Sequence, residues 1–243
     1  PGDVRAKYQA ARAAQPGWAA LPLADRLACL RRFRAKLAEE TPELARKLTQ
    51  EVGKPLQQSL NELKGTLERL DFFLTETGSA LRDETVRAPS AGSPLTELIT
   101  HVPLGVVANI SAWNYPYFVG SNVFVPALLA GNAVLYKPSE FATLTGLAIT
   151  RLLHDSGVPR PIFAPVIGSG KVGEALREHS YIQDCTALRS GEAWSPRLEA
   201  LIQDADIFQL FWSHAAMHSH WVRREYEFAL GLRRAHFVRP TYW

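Results

Sequence analysis

The stretch from Pro103 to Glu140 constrains the fold more than any other part of the chain. An apolar run rich in β-branched residues ends at Ile110, a polar and aromatic turn leads to Pro116, and a second apolar segment continues from there. A further short apolar run ends at Lys137. This order of strand, helix and strand predicts a parallel βαβ unit. Because neither strand alternates between apolar and polar residues, we expect helices on both faces of the sheet.

Polar residues follow both predicted strands directly. Trp113 and Asn114 come after the first strand. Lys137 ends the second strand, and Glu140 follows it closely. Ligands of open parallel sheets bind at the carboxyl ends of the strands, so we expect these side chains to share one crevice. The residues alone leave a simpler alternative open, in which Asn114 only shapes a turn and Lys137 is a solvated strand end.

Two motifs, Ala-Trp-Asn-Tyr-Pro (112–116) and Lys-Pro-Ser-Glu (137–140), match one known family in residue type, order and spacing. They resemble the cofactor-binding region of the aldehyde dehydrogenase superfamily. The resemblance covers residues 95–176, and the helical segment before them is similar as well. One departure is Ala112, where the family usually has proline. The resemblance implies an α/β fold in which residues 1–183 form a helical lead-in and a Rossmann-like parallel sheet that binds NAD or NADP.

The resemblance also implies roles for individual residues. The Asn114 side-chain amide is implied to donate a hydrogen bond to the oxyanion formed at the aldehyde carbon, where fixed dipoles stabilise developing charge well. Lys137 and Glu140 are implied to hold the adenosine ribose of the cofactor. Ile110 and Trp113 are implied to line the cofactor cleft. The substrate implied by the family is an aldehyde, which is oxidised to the carboxylic acid.

A glycine-rich loop follows the next predicted strand. The apolar run Phe163–Ile167 leads into Gly168, Gly170 and Gly173, and a helix is predicted to begin beside them. Glycine lets the backbone approach a ligand closely, and a helix N-terminus favours negative charge. The family has this loop beside the adenine, so the resemblance places the loop in the cofactor cleft.

The first 77 residues are predicted to be helical. One apolar stripe runs from Leu23 to Leu37, and a longer one runs from Leu56 to Leu74. Between them, Thr41 is predicted to cap a helix that stops before Gly53. Cys29 lies next to the first stripe, and we expect a small core residue without a basic partner to activate it.

A loop and an arm are predicted between the helices and the sheet. The segment Leu81–Pro94 has the Ala, Ser, Gly and Pro content of a loop. The segment Leu95–Val102 alternates loosely and is predicted to be a strand. In aldehyde dehydrogenases such a strand belongs to an arm between subunits, so the resemblance implies a homo-oligomer.

Charge and apolar runs argue against two kinds of partner. The formal net charge is +3, and basic and acidic residues alternate along the predicted helices, so we expect no nucleic-acid binding. The longest apolar run, Val123–Gly131, is about half of the ~18 residues that a membrane helix needs, so we expect no membrane segment. Two cysteines do not form a disulfide framework, and no signal pattern opens the sequence, so we expect a cytoplasmic protein.

The resemblance to aldehyde dehydrogenases stops after the glycine loop. Residues 184–191 do not match the family's Phe-Thr-Gly-Ser turn, whose helix carries the pyrophosphate. The family's Glu-Leu-Gly-Gly segment, with its general base, and its cysteine nucleophile are not found in these 243 residues either. Cys185 is an alternative nucleophile, but its surroundings do not match those of an activated thiolate. We therefore expect little or no aldehyde oxidation by this chain alone.

The C-terminal segment has a different pattern. Residues 205–213 are predicted to form a strand, 219–232 a helix and 237–243 a second strand. With its Trp-x-x-x-Glu motif, residues 184–243 resemble the second half of a Toll/interleukin-receptor (TIR) domain, which has a flavodoxin-like fold. In the NAD-cleaving members this glutamate contacts the nicotinamide ribose, so the resemblance implies a catalytic role for Glu225.

Three histidines near this segment raise the question of a metal site. His214 and His218 have the spacing of neighbours on a helix face, and His220 is close in sequence. No His-Glu-x-x-His pattern or nearby cysteine accompanies them, so we predict no metal ion.

Three hypotheses of function follow. The first is an NAD(P)-dependent aldehyde dehydrogenase family protein that is incomplete as this chain. The second is a TIR-type NAD hydrolase or signalling module that uses Glu225. The third is a truncated or fused product without enzymatic activity, whose half-sheets expose apolar edges. We favour the first for family identity, qualified by the third.

Overall fold

The computed structural model describes residues 2–88, 96–180, 199, 202–203, 205, 208–212, 220–234 and 238–242. The chain divides into two compact units, Pro1–Ser180 and Tyr181–Trp243. Among the described residues, no helix is long and apolar enough to cross a membrane.

Four helices open the first unit. They are α1 (Gly2–Ala19), α2 (Leu23–Glu39), α3 (Thr41–Val52) and α4 (Leu56–Ala80). The apolar stripes predicted α2 and α4 correctly, because the stripe residues Leu30, Leu37, Leu63 and Leu70 are buried in the core. Gly53 ends α3 in the left-handed conformation (φ 72°), as its position predicted.

The prediction that Thr41 caps α3 is wrong. Thr41 is already the first helical residue, and its hydroxyl donates to the carbonyl of Leu37 at 2.8 Å. Only Glu40 separates α2 from α3, so Glu40 occupies the cap position with φ −87° and ψ 2°. The close succession of the two helices leaves no extended residue whose side chain could cap the second one.

Three parallel strands form the sheet of the first unit. They are β3 (Val106–Ile110), β4 (Ala133–Lys137) and β5 (Phe163–Pro165), in the spatial order β3, β4, β5. Helix α5 (Pro116–Leu129) connects β3 to β4, which confirms the predicted βαβ unit. A short 3₁₀ turn (Glu140–Ala142) and α6 (Thr143–Asp155) connect β4 to β5, and α7 (Gly170–Ser180) follows β5.

Helices cover both faces of the central strand β4, as the absence of alternation predicted. Tyr136 and Lys137 point to opposite faces. The Tyr136 ring packs against Phe124 of α5, and the stem of Lys137 lies beside Gly173 of α7. The edge strand β3 is less covered, and Ile110 at its end is half exposed.

The core of the first unit lies between the sheet and the helices. Its centre is the Phe124 ring, whose centroid lies 6.1 Å from that of Phe33 in α2 and 5.3 Å from that of Phe163 in β5. Edge-to-face aromatic contacts of this kind add to the stabilisation from apolar burial. The core therefore joins the helical lead-in to the sheet.

Part of the predicted loop is a strand. Residues Glu84–Arg87 form β1, which pairs antiparallel with β2 (Glu97–Ile99), and every residue of both strands is exposed. The Ala, Ser, Gly and Pro residues that predicted a loop follow β1 in the sequence. Within β1, Thr85 and Val86 are β-branched and favour a strand. The predicted strand Leu95–Val102 is correspondingly shorter.

The described residues of the second unit include a strand, a helix and a second strand. They are β6 (Phe208–Trp212), α8 (His220–Gly231) and β7 (Val238–Tyr242), and the two strands pair in parallel. Within the described residues, this agrees with the strand, helix and strand predicted for 205–213, 219–232 and 237–243, whose outermost positions lie partly outside those residues. Ile202 and Ala229 are buried in a small apolar cluster of this unit.

Candidate functional site

Three turns leave the carboxyl edge of the sheet in the first unit. The backbone N–H of Ser111 donates to the carbonyl of Lys137 at 2.9 Å, and that of Val166 donates to the carbonyl of Tyr136 at 2.8 Å. These bonds extend the pairing of β3, β4 and β5 to the last residues of the strands. The segments that follow therefore start side by side, as expected for parallel strands.

Lys137 is buried at the end of β4. Only 3% of the residue is exposed, and its Nζ donates to the carbonyl of Pro138 at 3.2 Å. Nζ also lies 3.5 Å from Oε2 of Glu140, whose side chain is half exposed. The alternative that Lys137 is a solvated strand end is therefore wrong. The pKa of the Glu140 carboxyl lies below its ordinary value, because its own backbone N–H donates to it and Lys137 is close.

Ile110 and Gly173 lie next to Lys137. Ile110 is the register partner of Lys137 on the neighbouring strand. A Cβ added to Gly173 would lie 3.7 Å from Cδ of Lys137 and 3.8 Å from Cδ1 of Ile110. The structure thus brings together four of the residues predicted to contact the cofactor: Ile110, Lys137, Glu140 and Gly173.

The glycine loop after β5 is tight at one position and open at another. Gly168 has φ +157°, and a Cβ there would lie 2.4 Å from Cγ2 of Val172, so a side chain cannot be added without a shift. A Cβ on Gly170, the first residue of α7, would meet nothing within 4 Å. The N-terminus of α7 therefore borders open space at the same edge of the sheet as Lys137.

The turn after β3 is exposed on its outer side. Trp113 is 51% exposed, Asn114 is exposed as well, and α5 begins at Pro116. The backbone carbonyl of Asn114 accepts a hydrogen bond from Nζ of Lys54 at 2.8 Å. Asn114 thus occupies an accessible turn at the strand end, with its backbone held from the helical region.

Lys54 and Glu62 form a buried ion pair beneath this turn. Their Nζ and Oε2 atoms lie 2.5 Å apart, and the residues are 9% and 4% exposed. The other carboxylate oxygen of Glu62 accepts from the backbone N–H of Tyr117 at 2.8 Å and of Phe118 at 3.2 Å. The Lys54 ammonium also lies 3.8 Å from the centroid of the Tyr115 ring. Burial raises the pKa of the Glu62 carboxyl, while Lys54 acts in the opposite direction.

This pair was not predicted from the sequence. A usable signal was present, because Glu62 falls in the buried stripe of α4, directly beside Leu63 and at helical spacing from Ser59 and Thr66. A carboxylate in such a stripe requires a buried partner. Sequence spacing alone does not identify that partner as Lys54 and two amides of α5.

A groove of about 280 Å³ lies beside the same turn. It is bounded by α4 and the start of α5, and Tyr115 and Phe118 form part of its wall. Tyr115, which lines the groove, directly follows Asn114 in the sequence, so a small organic group in the groove would lie near the turn.

The remaining predicted residues are placed as follows. Cys29 is buried, as predicted, but Nη2 of Arg32 lies 3.2 Å from its Sγ, so the expectation that no basic residue accompanies it is wrong. Arg32 lies one helical turn away on α2.

Glu225 lies on α8 and is half buried. Cys185, His214 and His218 lie outside the described residues, as do the side-chain surroundings of His220. The described residues contain no group of three or more side chains suited to a metal ion.

The model of the aldehyde dehydrogenase family matches residues 1–189. The chain belongs to the aldehyde dehydrogenase family. It is similar to the N-succinylglutamate 5-semialdehyde dehydrogenase of Chromobacterium violaceum, with 37% identity over 177 residues. That alignment covers 73% of this chain and 36% of the relative, so the chain spans about a third of the relative's length.

Solved structures of nicotinamide-dependent enzymes have a similar fold. A NAD-dependent benzaldehyde dehydrogenase from Corynebacterium glutamicum aligns with a TM-score of 0.68 and 25% identity, over 99% of this chain and 46% of that chain. An NADP-dependent enzyme of E. coli aligns with a TM-score of 0.67 and 25% identity, over 99% of this chain and 44% of that chain. The helical lead-in and parallel sheet are therefore those of an aldehyde dehydrogenase cofactor domain.

These matches give no support to the resemblance of residues 184–243 to a TIR domain. The two structural alignments cover nearly the whole chain and so include most of the second unit. The predicted strand, helix and strand are present there, but a parallel βαβ unit is common to many α/β folds. The TIR-like function of Glu225 stays a hypothesis.

Proposed function

We propose that this chain supplies the dinucleotide-binding edge and the oxyanion donor of an enzyme that oxidises an aldehyde to the carboxylic acid with NAD or NADP. The observation that carries the proposal is the arrangement around Lys137. A buried ammonium, a half-exposed carboxylate and an exposed apolar side chain lie together at the carboxyl edge of a parallel sheet, beside the N-terminus of α7.

The residues fit the adenosine end of a nicotinamide dinucleotide. An ammonium has three donor hydrogens. At Lys137 one hydrogen goes to the carbonyl of Pro138 and another faces Glu140, so one remains for a ribose hydroxyl. The Glu140 carboxylate can accept from a hydroxyl of the same ribose. Ile110 offers apolar surface to the adenine, and the space at Gly170 admits ligand atoms near the backbone.

When bound, the nicotinamide supplies the hydride acceptor for the oxidation. The residue of this chain assigned to the reacting carbon is Asn114. Its side-chain amide would donate to the oxygen that gains negative charge when a nucleophile adds to the aldehyde. The turn is exposed, and the groove beside Tyr115 would accommodate the part of the aldehyde that does not react.

Aldehyde oxidation by the 243-residue chain alone is expected to be very slow. The nucleophile and general base that the family uses are not recognised in its sequence, and a thiolate nucleophile is what makes the addition fast. The measurement is NADH or NADPH formation with short-chain aldehydes and semialdehydes. Turnover that Asn114→Ala abolishes would contradict this expectation.

Cofactor binding tests the proposal through Lys137. The chain would be titrated with NADH and with NADPH, followed by nicotinamide fluorescence and by the thermal unfolding midpoint, which bound ligand raises. Lys137→Met should weaken the preferred dinucleotide at least about tenfold, the loss expected for one charge-assisted hydrogen bond. Lys64→Met, an exposed lysine of α4, is the control and should bind like the parent chain. Equal binding by the two variants would overturn the proposal.

A second function is a hypothesis that rests on the Trp-x-x-x-Glu motif of residues 221–225. The described residues of the second unit form the parallel strand, helix and strand expected around a TIR-type glutamate, and Glu225 lies on that helix. Under this hypothesis the chain releases nicotinamide from NAD, and Glu225→Gln abolishes the release. Release that is unchanged in Glu225→Gln would reject the hypothesis. A chain that neither binds dinucleotide nor releases nicotinamide would favour the non-enzymatic hypothesis.

A further inference from the structure

The side chains of the buried pair Lys54 and Glu62 make their described hydrogen bonds outside the pair to one feature only. That feature is the turn that carries Asn114, together with the first residues of α5. Lys54 holds the carbonyl of Asn114, and Glu62 holds the amides of Tyr117 and Phe118. The turn is therefore held by hydrogen bonds on both sides of Pro116.

We propose that Lys54 and Glu62 are positioning residues that set the orientation of the Asn114 turn, through the bonds to the Asn114 carbonyl and the first amides of α5. The inference rests on the proposed function for its catalytic meaning, because Asn114 is there the oxyanion donor. The mechanical part, that the pair determines the conformation of this turn, stands on the geometry alone.

Energetics favour a positioning role over a purely stabilising one. Removing two charges from water is costly, and a buried ion pair is often replaceable by apolar residues without loss of stability. A hydrogen-bonded charge pair does, however, fix directions that apolar contacts leave free. Here the hydrogen bonds of the pair go to backbone atoms, namely the carbonyl of Asn114 and the amides at the start of α5.

The first amides of α5 make the role measurable. The first four N–H groups of a helix have no partner within the helix. The N–H groups of Tyr117 and Phe118 belong to this set, and Glu62 accepts from both. Their protection from hydrogen exchange therefore reports on the Glu62 carboxylate directly, whereas amides in the middle of α5 report on the helix.

The anchors of the pair are rigid elements of the lead-in. Lys54 lies between the left-handed Gly53 that ends α3 and Pro55 that precedes α4. Glu62 lies on α4, which packs along α5. The Tyr115 ring covers the Lys54 ammonium, and cation–π contact of this kind adds attraction when the site is dry. The position of the turn is thereby tied to the α3–α4 corner.

A matched control pair is available on the same helix. Asp71, also on α4, accepts two hydrogen bonds from the Arg34 guanidinium at 2.9 Å and 2.8 Å, and this pair is exposed. It links α4 to α2 and has no described contact with the Asn114 turn. Substitutions of Asp71 remove an ion pair of α4 but leave the Lys54–Glu62 pair intact.

The test is amide hydrogen exchange and NMR on the full chain without cofactor. In Glu62→Ala the amides of Tyr117 and Phe118 should exchange at least about tenfold faster, while those in the middle of α5 keep their rates. Glu62→Gln should restore the protection, because its amide oxygen can accept both bonds. In Lys54→Met the side-chain amide signal of Asn114 should shift. Asp71→Ala should produce none of these changes.

Each outcome decides the inference. Unchanged exchange at Tyr117 and Phe118 in Glu62→Ala overturns it, as does an Asn114 signal that Asp71→Ala moves as much as Lys54→Met. If Glu62→Ala does not fold, the Lys54→Met arm still applies, and an Asn114 signal unmoved in Lys54→Met overturns the inference. Failure of the Lys137→Met titration together with a positive exchange result would reject the cofactor assignment and keep the positioning role.

Discussion

The turns after β3 and β4 start side by side but are held in different ways. The turn after β3 depends on Lys54 and Glu62, which lie more than fifty positions earlier in the chain. The turn after β4 is held by its own residues, because Lys137 binds the carbonyl of Pro138 and approaches Glu140. A distant carboxylate, Glu51 of α3, accepts hydrogen bonds only beyond the turn, from the first amides of α6. One half of the proposed site is therefore built by tertiary contacts and the other half by a local motif.

The difference shows where each half is vulnerable. A local motif keeps its geometry as long as the strand ends where it does. A turn fixed by distant charges responds to any change that moves those charges, including changes in helices that contact no ligand. The helical lead-in is thus part of the proposed site even though none of its residues is expected to touch the cofactor.

The largest effect on the turn after β3 is expected when one charge of the Lys54–Glu62 pair is removed. Lys54→Met leaves the buried Glu62 carboxylate without its cation, which should lower the free energy of unfolding by about 3–5 kcal/mol. The double variant Lys54→Met/Glu62→Gln should regain a large part of the loss, because no buried charge remains. Urea unfolding of the first unit, followed by circular dichroism, measures both.

Asp71→Asn provides the scale for this effect. The Arg34–Asp71 pair is exposed, so its loss should cost about 1 kcal/mol or less. If Lys54→Met were as mild as Asp71→Asn, the claim that the first turn depends on a buried pair would be wrong.

A third turn at the same edge of the sheet, the glycine loop after β5, is also constrained locally. A Cβ at position 168 would clash with Val172, so Gly168→Ala should cost about 1–3 kcal/mol. Gly170→Ala adds its Cβ to open space and should change stability by about 0.5 kcal/mol or less. Thermal unfolding of the two variants makes the comparison. Similar midpoints would show that the loop is not constrained at Gly168.

The two turns should also respond to pH with opposite sign. The pKa of Glu62 is raised by burial, so its contribution to stability is full at low pH and is lost as pH rises from about 4.5 through the raised value. The pKa of Glu140 is lowered, so its contribution is full above about 4.5 and is lost as pH falls through the lowered value.

Differences from matched amide variants isolate these contributions. The stability of the parent minus that of Glu62→Gln should fall as pH rises above about 4.5. The stability of the parent minus that of Glu140→Gln should fall as pH decreases below about 4.5. Slopes of the same sign for the two differences would contradict the assigned pKa directions.

Sequence reasoning was most successful where contacts are local. The βαβ unit followed from two apolar runs and the turn between them, and the strand-end position of Lys137 and Glu140 followed from the same pattern. Cys29 was placed in the core correctly, since its position relative to an apolar stripe is a local property.

The missed features depend on contacts that no short pattern encodes. The partners of Glu62 lie in the α3–α4 corner and at the start of α5, and the packing of α4 against α5 brings the latter within reach. Thr41 does not cap α3 because only one residue, Glu40, separates α2 from α3, and periodicity does not predict so short a connection. Strand β1 depends on pairing with β2 and was hidden by the loop composition that follows it.

The most direct test of the account is the structure of this chain with NADH or NADPH bound at saturating concentration. The account predicts that a ribose hydroxyl of the adenosine lies within about 3.2 Å of Nζ of Lys137, and another within the same distance of the Glu140 carboxylate. A dinucleotide bound away from the carboxyl edge of β3 and β4, with Lys137 still directed only at Pro138 and Glu140, would contradict it.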